Sequence, residues 1–165
     1  MLKILRFPDP GLFRKAVPVQ TFDEELGEIA LQMREAMYAS RGVGLSGTQV
    51  DIHRRIIVLD VPDDEAGFKV LINPKIVWRE DEEVGFDEGC LSFPSLYVEV
   101  NRANRIRVRA HDLLGNEFEI LAEGSLSQCI QHEIDHLDGK VFVDHLSPAR
   151  RNRALLKFSK LSKLR

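Results

Sequence analysis

The sequence predicts an α+β fold in which antiparallel or mixed β-sheets pack around a central helix containing the stretch QHEIDH, with an N-terminal helix and a C-terminal helix. Apolar residues recur with helical spacing in three separate segments. Segments that alternate with the period of a β-strand lie mostly before the second of these helical segments. Strands and helices separated in this way along the chain favour α+β over a sheet of alternating strands and helices.

Length and composition indicate one globular unit. The chain has 165 residues, of which 44% are hydrophobic and 30% are charged, so we expect residues 1–165 to form a single domain with a sizeable core. Pro8 and Pro10 interrupt the N-terminus before an apolar run reaches signal-peptide length, and no window approaches the roughly 18 apolar residues of a membrane span. We therefore expect a soluble, unexported protein in a reducing compartment. Cys90 and Cys129 are then free thiols or metal ligands.

The first half of the chain predicts one helix and several strands. Residues 23–38 have apolar side chains at helical spacing and acids in the first turn, which indicates an amphipathic helix. The glycine-punctuated stretch 40–49 is typical of a loop. The β-branched run 54–61 predicts a strand, and shorter strands are expected at 70–72 and 76–78.

The second half predicts a meander of antiparallel strands. An acidic stretch, 80–88, comes first, and Pro94 excludes a helix immediately after it. The segments 96–100 and 105–111 alternate with period two, a turn follows, and 118–122 returns as a strand.

Two helical segments close the chain. Ser125 and Gln128 predict a capping box at the start of the first, and Gly139 predicts its end. The second, 147–165, has one apolar side, seven basic residues and no acid, whereas residues 1–146 carry a net charge of −10. Either this basic segment meets an anionic partner, or it is a solvated helix docked on an acidic body.

QHEIDH on a helix is typical of a hydrolytic metal site. His132 and His136, four residues apart, face the same way and can bind one ion, and Glu133 is placed to handle the proton of a metal-bound water. At about 100° per residue, Glu133 points toward the apolar side of the helix, where a carboxylate needs a cation or a water beside it. Such sites usually have three protein ligands, so one is missing from this motif.

The third ligand has several candidates. The metzincin pattern HExxHxxGxxH fails here, because its last position is Phe142. The other histidines have no motif behind them: His53, His111 and His145. Cys90, in the extended segment EGCLS, offers a thiolate, but from its local sequence it can equally be a buried small apolar residue. Cys129 is interpreted as such a buried residue.

Three stretches in this order resemble the signature motifs of the peptide deformylases, the hydrolases that remove the formyl group from the N-terminal formylmethionine of new bacterial and organellar proteins. The stretches are GVGLSGTQ (42–49), EGCLS (88–92) and QHEIDH (131–136). The resemblance extends to FPDPGL near the start, LINP at 71–74 and HLDGKVF after the helix, so it covers nearly the whole chain.

The resemblance implies a mechanism and a set of residues. A metal-bound water attacks the formyl carbon, Glu133 is the general base and acid, and Gln49 with the N–H of Leu91 stabilises the oxyanion. The implied metal ligands are Cys90, His132 and His136. The ion is divalent, Fe(II) in the cell, with zinc, nickel or cobalt able to substitute. The implied substrate-binding residues are Val43, Gly44, Leu45, Gly89, Tyr97 and Cys129.

The resemblance also implies partners, and three positions depart from the family. N-formylmethionyl nascent peptides are the expected substrate, the basic C-terminal helix is a candidate ribosome contact, and a monomer without membrane contact in the bacterial cytoplasm is expected. Ser46 and Gly47 stand where the family usually has two alanines, which predicts a looser loop or an altered contact with the metal ligands. Tyr97 stands near an arginine that some bacterial members use to hold the peptide.

Two alternatives remain open from sequence. A metal-dependent endopeptidase could use the same helix, and it would cut internal bonds of unblocked proteins. A non-catalytic binding protein could keep the fold and use its basic segment as a tether to an anionic surface such as RNA, with a strong dependence on salt.

Overall fold

The computed structural model describes residues 1–164, and Arg165, the last basic residue of the predicted C-terminal helix, lies outside the described residues. Seven strands and three α-helices are formed by the described residues. The strands are β1 Gly44–Ser46, β2 Ile56–Leu59, β3 Lys69–Arg79, β4 Glu83–Cys90, β5 Phe93–Ala103, β6 Arg105–His111 and β7 Glu117–Glu123. The helices are α1 Glu24–Ala39, α2 Ser125–Leu137 and α3 Pro148–Lys163. The predicted α+β class is confirmed.

The strands form two antiparallel sheets. Five strands pair in the order β1-β2-β3-β6-β7, and β4 pairs with β5 in a separate two-stranded sheet. The predicted meander is therefore right for β6 and β7 and wrong for residues 96–100, which belong to β5 and pair back onto β4. The acidic stretch 80–88 supplies most of β4, in which the partly buried Val84 and Phe86 alternate with the exposed Glu83, Gly85 and Asp87.

Strand β3 joins two segments that were predicted as separate strands. Its pairing with β6 shifts register between Ile72 and Lys75, around Asn73 and Pro74. Asn73 has a left-handed backbone (φ 52°), and its side chain exchanges hydrogen bonds of 2.8 and 2.9 Å with the backbone of Val19. This irregularity accommodates a proline, which has no N–H to give to the ladder.

The predicted loop 40–49 is wrong in its second half. Residues 44–46 form β1, which pairs with β2, and a 3₁₀ turn, Gly47–Val50, follows directly. Gly47 is buried, and a Cβ there would lie 2.5 Å from the carbonyl oxygen of Ile52 and 2.9 Å from that of Arg54. Glycine here permits close backbone packing.

The helix ends are explained by capping. Asp23 caps α1 through a 3.0 Å hydrogen bond to the N–H of Leu26, and Ser147 caps α3. The predicted capping box of α2 is wrong: Gly124 is the N-cap, no side chain caps it, and Ser125 is already helical. The predicted end of α2 is confirmed, since Gly139 follows the last turn with φ 76°.

Three apolar clusters hold these elements together. Alternate residues of β2 face opposite ways, so Ile57 packs toward α2 and Ile56 toward α1. A third cluster joins the β4–β5 sheet to α3, with Phe93 and Phe158 5.3 Å apart between ring centroids. Within residues 1–164, no helix combines the length and apolar character needed to cross a bilayer.

Candidate metal centre

Helix α2 and the end of β4 bring one thiol and two imidazoles together. His132 and His136 are buried on α2, and Cys90 is the last residue of β4. The Nε2 atoms of the two histidines lie 3.2 Å apart, and Cys90 Sγ lies 3.3 Å from His136 Nε2. One ligand atom from each of the three residues falls within 4.8 Å of the others. The local sequence left Cys90 open between ligand and apolar residue, the family resemblance implied a ligand, and the structure places its sulfur at the histidine pair.

The spacing of these atoms fits one divalent cation. A tetrahedral ion bound at ordinary Zn–N and Zn–S lengths holds its ligand atoms about 3.3 to 3.6 Å apart. The observed 3.2 and 3.3 Å separations are close to these values. A thiolate with two imidazoles suits zinc, iron(II), cobalt and nickel better than calcium or magnesium.

A buried chain of charged groups lies behind His132. Its Nδ1 is 2.8 Å from Glu88, which in turn accepts hydrogen bonds of 2.7 and 3.0 Å from Arg102. Arg102 also donates to Asp135 at 2.6 Å, and Asp135 contacts His145 at 2.7 Å. This chain directs Nε2 of His132 toward the cluster. His145, a candidate third ligand from sequence, belongs instead to this network.

Glu88 and Arg102 are functional candidates that sequence reasoning missed. Burial opposes the charge on Glu88, but the hydrogen bonds from His132 and Arg102 outweigh burial and hold the pKa of Glu88 below its ordinary value. The one local signal for Glu88 is its place in EGCLS, two positions before Cys90. Nothing near Arg102 in the sequence indicates its role.

Glu133 lies buried beside the cluster, 4% exposed. Its Oε2 has no hydrogen-bond partner among the described residues. Burial, reinforced by the charge of Glu88 and opposed by that of His132, raises the pKa of Glu133 to about 7. A carboxylate in this setting can both accept and release a proton near neutral pH. Burial and the adjacent His132 also hold the pKa of His136 well below its ordinary value, which keeps that ring neutral, as a ligand requires.

Gln49 approaches the same cluster from the 3₁₀ turn after β1. Its side chain is 1% exposed, with Nε2 3.2 Å from Ser92 Oγ and 3.6 Å from Cys90 Sγ. Its Oε1 accepts a hydrogen bond from the N–H of Ser46 at 3.0 Å and another from the Ser46 hydroxyl at 3.2 Å. The amide NH₂ is therefore held toward the thiol.

A cleft of about 1030 Å³ opens onto these groups. Most of the predicted substrate-binding and catalytic residues line it: Val43, Gly44, Gly89, Leu91, Tyr97, Cys129 and Glu133. Leu45 and Gln49 are not in the lining. The side chain of Leu45 is fully buried among apolar residues of α1 and β2, and Gln49 is buried next to Cys90. One wall comes from residues 2–6, in which no sequence motif indicates a function.

Two glycines keep the cleft open close to the reactive groups. A Cβ on Gly44 would lie 2.8 Å from Cys129 Sγ and 3.1 Å from Glu133 Oε1. A Cβ on Gly89 would lie 2.6 Å from the ring of Tyr97, its cross-strand partner. Burial raises the pKa of Cys129 well above its ordinary value, so this residue presents a neutral thiol to the cleft.

The remaining histidines lie away from the candidate metal site. His53 contacts Asp51, and the ring of His111 lies near Phe22.

Comparisons with known proteins agree on one family. A family model described as polypeptide deformylase matches residues 1–152. The peptide deformylase of Chromohalobacter salexigens is 51% identical over 159 residues, which are 96% of this chain and 94% of that protein. The peptide deformylase 1 of Burkholderia multivorans is 46% identical over 163 residues, 99% of this chain and 90% of that protein.

Solved structures give the same result. A crystal structure of a peptide deformylase from Legionella pneumophila superimposes with a TM-score of 0.92 at 45% identity, covering 99% of this chain and 96% of that one. A peptide deformylase from Synechococcus elongatus in complex with actinonin has a TM-score of 0.89 at 38% identity, covering 94% of this chain and 86% of that one. Both the sequence and the backbone are therefore similar to this family over nearly their full length.

Proposed function

The chain belongs to the polypeptide deformylase family, and from that premise we propose that it hydrolyses the formyl amide of formylmethionine at the start of newly made polypeptides. The observation that carries the proposal is the convergence of Cys90, His132 and His136 at one point, where Cys90 and His132 line the cleft together with Glu133. In the reaction, a water oxygen bonds to the formyl carbon, the C–N bond breaks, and a proton passes to the departing amine. The products are formate and a free N-terminus.

The proposed metal ligands are Cys90, His132 and His136. When bound, a divalent cation supplies a Lewis acid that makes water acidic enough to lose a proton near neutral pH. Iron(II) is the proposed ion in the cell, with zinc, nickel or cobalt able to replace it. Metal analysis after anaerobic purification tests this assignment, and a protein isolated without iron but fully active with its native zinc would contradict it.

Glu133 is the proposed proton carrier. Its carboxylate is buried, its Oε2 is unpartnered among the described residues, and Gly44 leaves room beside Oε1. The carboxylate takes the proton from the attacking water and returns it to the amine nitrogen as the C–N bond breaks. One group can perform both steps because it stays next to the cleft throughout.

Gln49 and the backbone N–H of Leu91 are the proposed donors to the formyl oxygen. Negative charge develops on that oxygen during attack, and donors that are already in place stabilise it without reorganisation. Gln49 Nε2 lies 3.6 Å from Cys90 Sγ, and sulfur is a weaker hydrogen-bond acceptor than oxygen. This N–H is therefore the one that can turn to a substrate oxygen at small cost.

The peptide is proposed to lie along the edge of β1. Within the described part of the chain, strand β1 pairs only with β2, which leaves its other edge to pair with an extended peptide near Val43 and Gly44. Tyr97 and Cys129 would contact its side chains from the facing walls, and Gly89 gives the peptide room beside Tyr97. Leu45 would contribute only through its backbone, because its side chain is buried in the core.

The test is formate release from a formyl-Met peptide by the wild-type protein and by Glu133→Ala. We expect Glu133→Ala to retain metal but lose about 10²- to 10⁴-fold in kcat, the usual value of a general base. Full turnover by a metal-loaded Glu133→Ala variant contradicts the assigned role. Unblocked proteins serve as the control substrate, since cleavage of internal bonds would favour an endopeptidase instead.

Helix α3 is a proposed contact with the ribosome, in the cytoplasm where formylated chains emerge. Its apolar side docks through Ala154 and Phe158, each 6% exposed. Among the described residues, its basic side chains form a single ion pair with the body, Arg151–Asp144. Most of its positive charge is thus left for an anionic partner rather than neutralised by the acidic body.

This contact is tested by reversing charges on α3. We expect Lys157→Glu with Lys160→Glu to weaken ribosome binding and to flatten its dependence on salt, because two phosphate contacts are lost. The matched control reverses two exposed charges on the five-stranded sheet, Lys75→Glu and Arg107→Glu, and should bind as wild type. If the two double substitutions weaken ribosome binding equally, the result contradicts a role specific to α3.

A further inference from the structure

We propose that the Ser46 hydroxyl is a positioning group that holds and polarises the side-chain amide of Gln49 for donation into the cleft. The inference rests on the proposed function, because it concerns a donor assigned to the formyl oxygen. It follows from four hydrogen bonds around one buried amide, of which two come from Ser46.

The two ends of the Gln49 amide have different partners. Oε1 receives the N–H of Ser46 at 3.0 Å and the hydroxyl of Ser46 at 3.2 Å. Nε2 donates to Ser92 Oγ at 3.2 Å and toward Cys90 Sγ at 3.6 Å. A reversed amide would set its NH₂ against the Ser46 N–H, donor against donor. The backbone of Ser46 therefore fixes the orientation, and the hydroxyl supplies a second anchor.

The hydroxyl does more than restrain the amide. A carbonyl oxygen that accepts two hydrogen bonds draws electron density from its nitrogen, so the N–H groups at the other end become stronger donors. Ser46 and Gln49 are 0% and 1% exposed, so this polarisation takes place out of contact with bulk water. A polarised donor favours the charged transition state more than the neutral substrate, and its loss should lower kcat rather than raise KM.

The neighbouring Thr48 provides a matched control. Its hydroxyl is also buried on the 3₁₀ turn, one residue from Gln49, but its Oγ1 has no hydrogen-bond partner among the described residues. Thr48→Val removes a buried hydroxyl from the same turn without touching the Gln49 amide. It should leave kcat unchanged, and it should not lower stability, because no hydrogen bond is lost.

A double-mutant cycle tests the proposal with metal content matched between variants. Ser46→Ala should lower kcat for formate release about fivefold, the effect of one ordinary hydrogen bond, with KM changed less than about twofold. In a Gln49→Ala background the same Ser46→Ala change should have almost no effect, because the group it acts through is gone. An equal loss of kcat in both backgrounds, or none in the wild type, overturns the proposal.

A second measurement does not depend on activity. In the zinc-loaded protein, the side-chain NH₂ signals of Gln49, identified by their absence in Gln49→Ala, should move upfield in Ser46→Ala and stay in place in Thr48→Val. Unmoved signals in Ser46→Ala contradict the proposal. If the wild type releases no formate, the proposed function fails, while the NMR comparison still decides whether Ser46 polarises Gln49. Should Ser46→Ala not fold, Ser46→Gly and Ser46→Cys are compared with wild type by the same signals.

Discussion

At the scale of single residues, the carboxylate of Glu88 joins His132 of the proposed metal site to the buried Arg102. It is fully buried, it accepts a hydrogen bond from Nδ1 of His132, and it forms a bidentate ion pair with Arg102. Groups in this position orient a metal-binding imidazole and increase its basicity. Glu88→Gln keeps the size of the side chain but removes the charge that holds both neighbours.

We expect Glu88→Gln to weaken zinc binding about 10- to 100-fold, as measured by competition with a chromophoric chelator. The variant should also lose about 3 kcal/mol of unfolding free energy, because Arg102 is left partly unpaired. Asp87→Asn, an exposed carboxylate one position away on β4, is the control and should change neither quantity. Wild-type zinc affinity in Glu88→Gln would falsify the orienting role.

Site residues could be predicted from sequence when the residues that act together lie close to one another along the chain. His132, Glu133 and His136 are within one helical turn, so local spacing was enough to propose a metal site. Cys90 lies 42 positions before His132, and only its motif brought it into consideration. Glu88 has only its place in EGCLS as a local signal, and the roles of Arg102 and of the Ser46 hydroxyl arise from contacts that the fold creates.

At the scale of secondary-structure elements, α2 ends before Gly139, and two features of the structure require a glycine at that position. Gly139 has φ 76°, which costs other residues about 1–2 kcal/mol. A Cβ there would also lie 2.7 Å from the carbonyl oxygen of Phe13. The N-terminal segment therefore packs directly against the end of the helix that carries the site.

We expect Gly139→Ala to lower the free energy of unfolding by about 2–4 kcal/mol, from backbone strain together with overpacking. Gly67→Ala is the matched control, because Gly67 has φ 74° but a Cβ there meets nothing within 4 Å. Gly67→Ala should lower the free energy of unfolding only by the backbone strain, about 1 kcal/mol. Urea denaturation measures both, and an equal cost for the two variants would show that the contact with Phe13 contributes nothing.

Helices were easier to predict than strands for a physical reason. The bounds of α1 and the end of α2 follow from Asp23, the apolar spacing and Gly139, all of which act locally. Strands β1 and β4 were missed because glycines and acids conceal their alternation, and their stability comes from partners distant in the sequence. The pairing of β5 with β4 rather than with β6 is likewise determined by tertiary contacts.

At the scale of the whole molecule, the proposed metal would add a link between two parts that the Glu88–His132 and Arg102–Asp135 contacts already join. Helix α2 packs on the five-stranded sheet, whereas the β4–β5 sheet packs with α3. His132 and His136 belong to the first part and Cys90 to the second. An ion bound by all three residues would therefore be a further connection between α2 and the β4–β5 sheet.

Binding at such a junction should stabilise the entire fold. Free zinc at about 100 times its dissociation constant adds about 2.7 kcal/mol to a folded state that alone binds it. For a chain of this size the gain corresponds to a rise in Tm of about 5–10 °C, which calorimetry with and without a chelator would measure. Cys90→Ala removes the ligand from β4, so its Tm should respond little to zinc, while Cys129→Ala should respond as wild type. A zinc-dependent rise of the same size in Cys90→Ala would show that the ion is held by α2 alone and does not connect the two sheets.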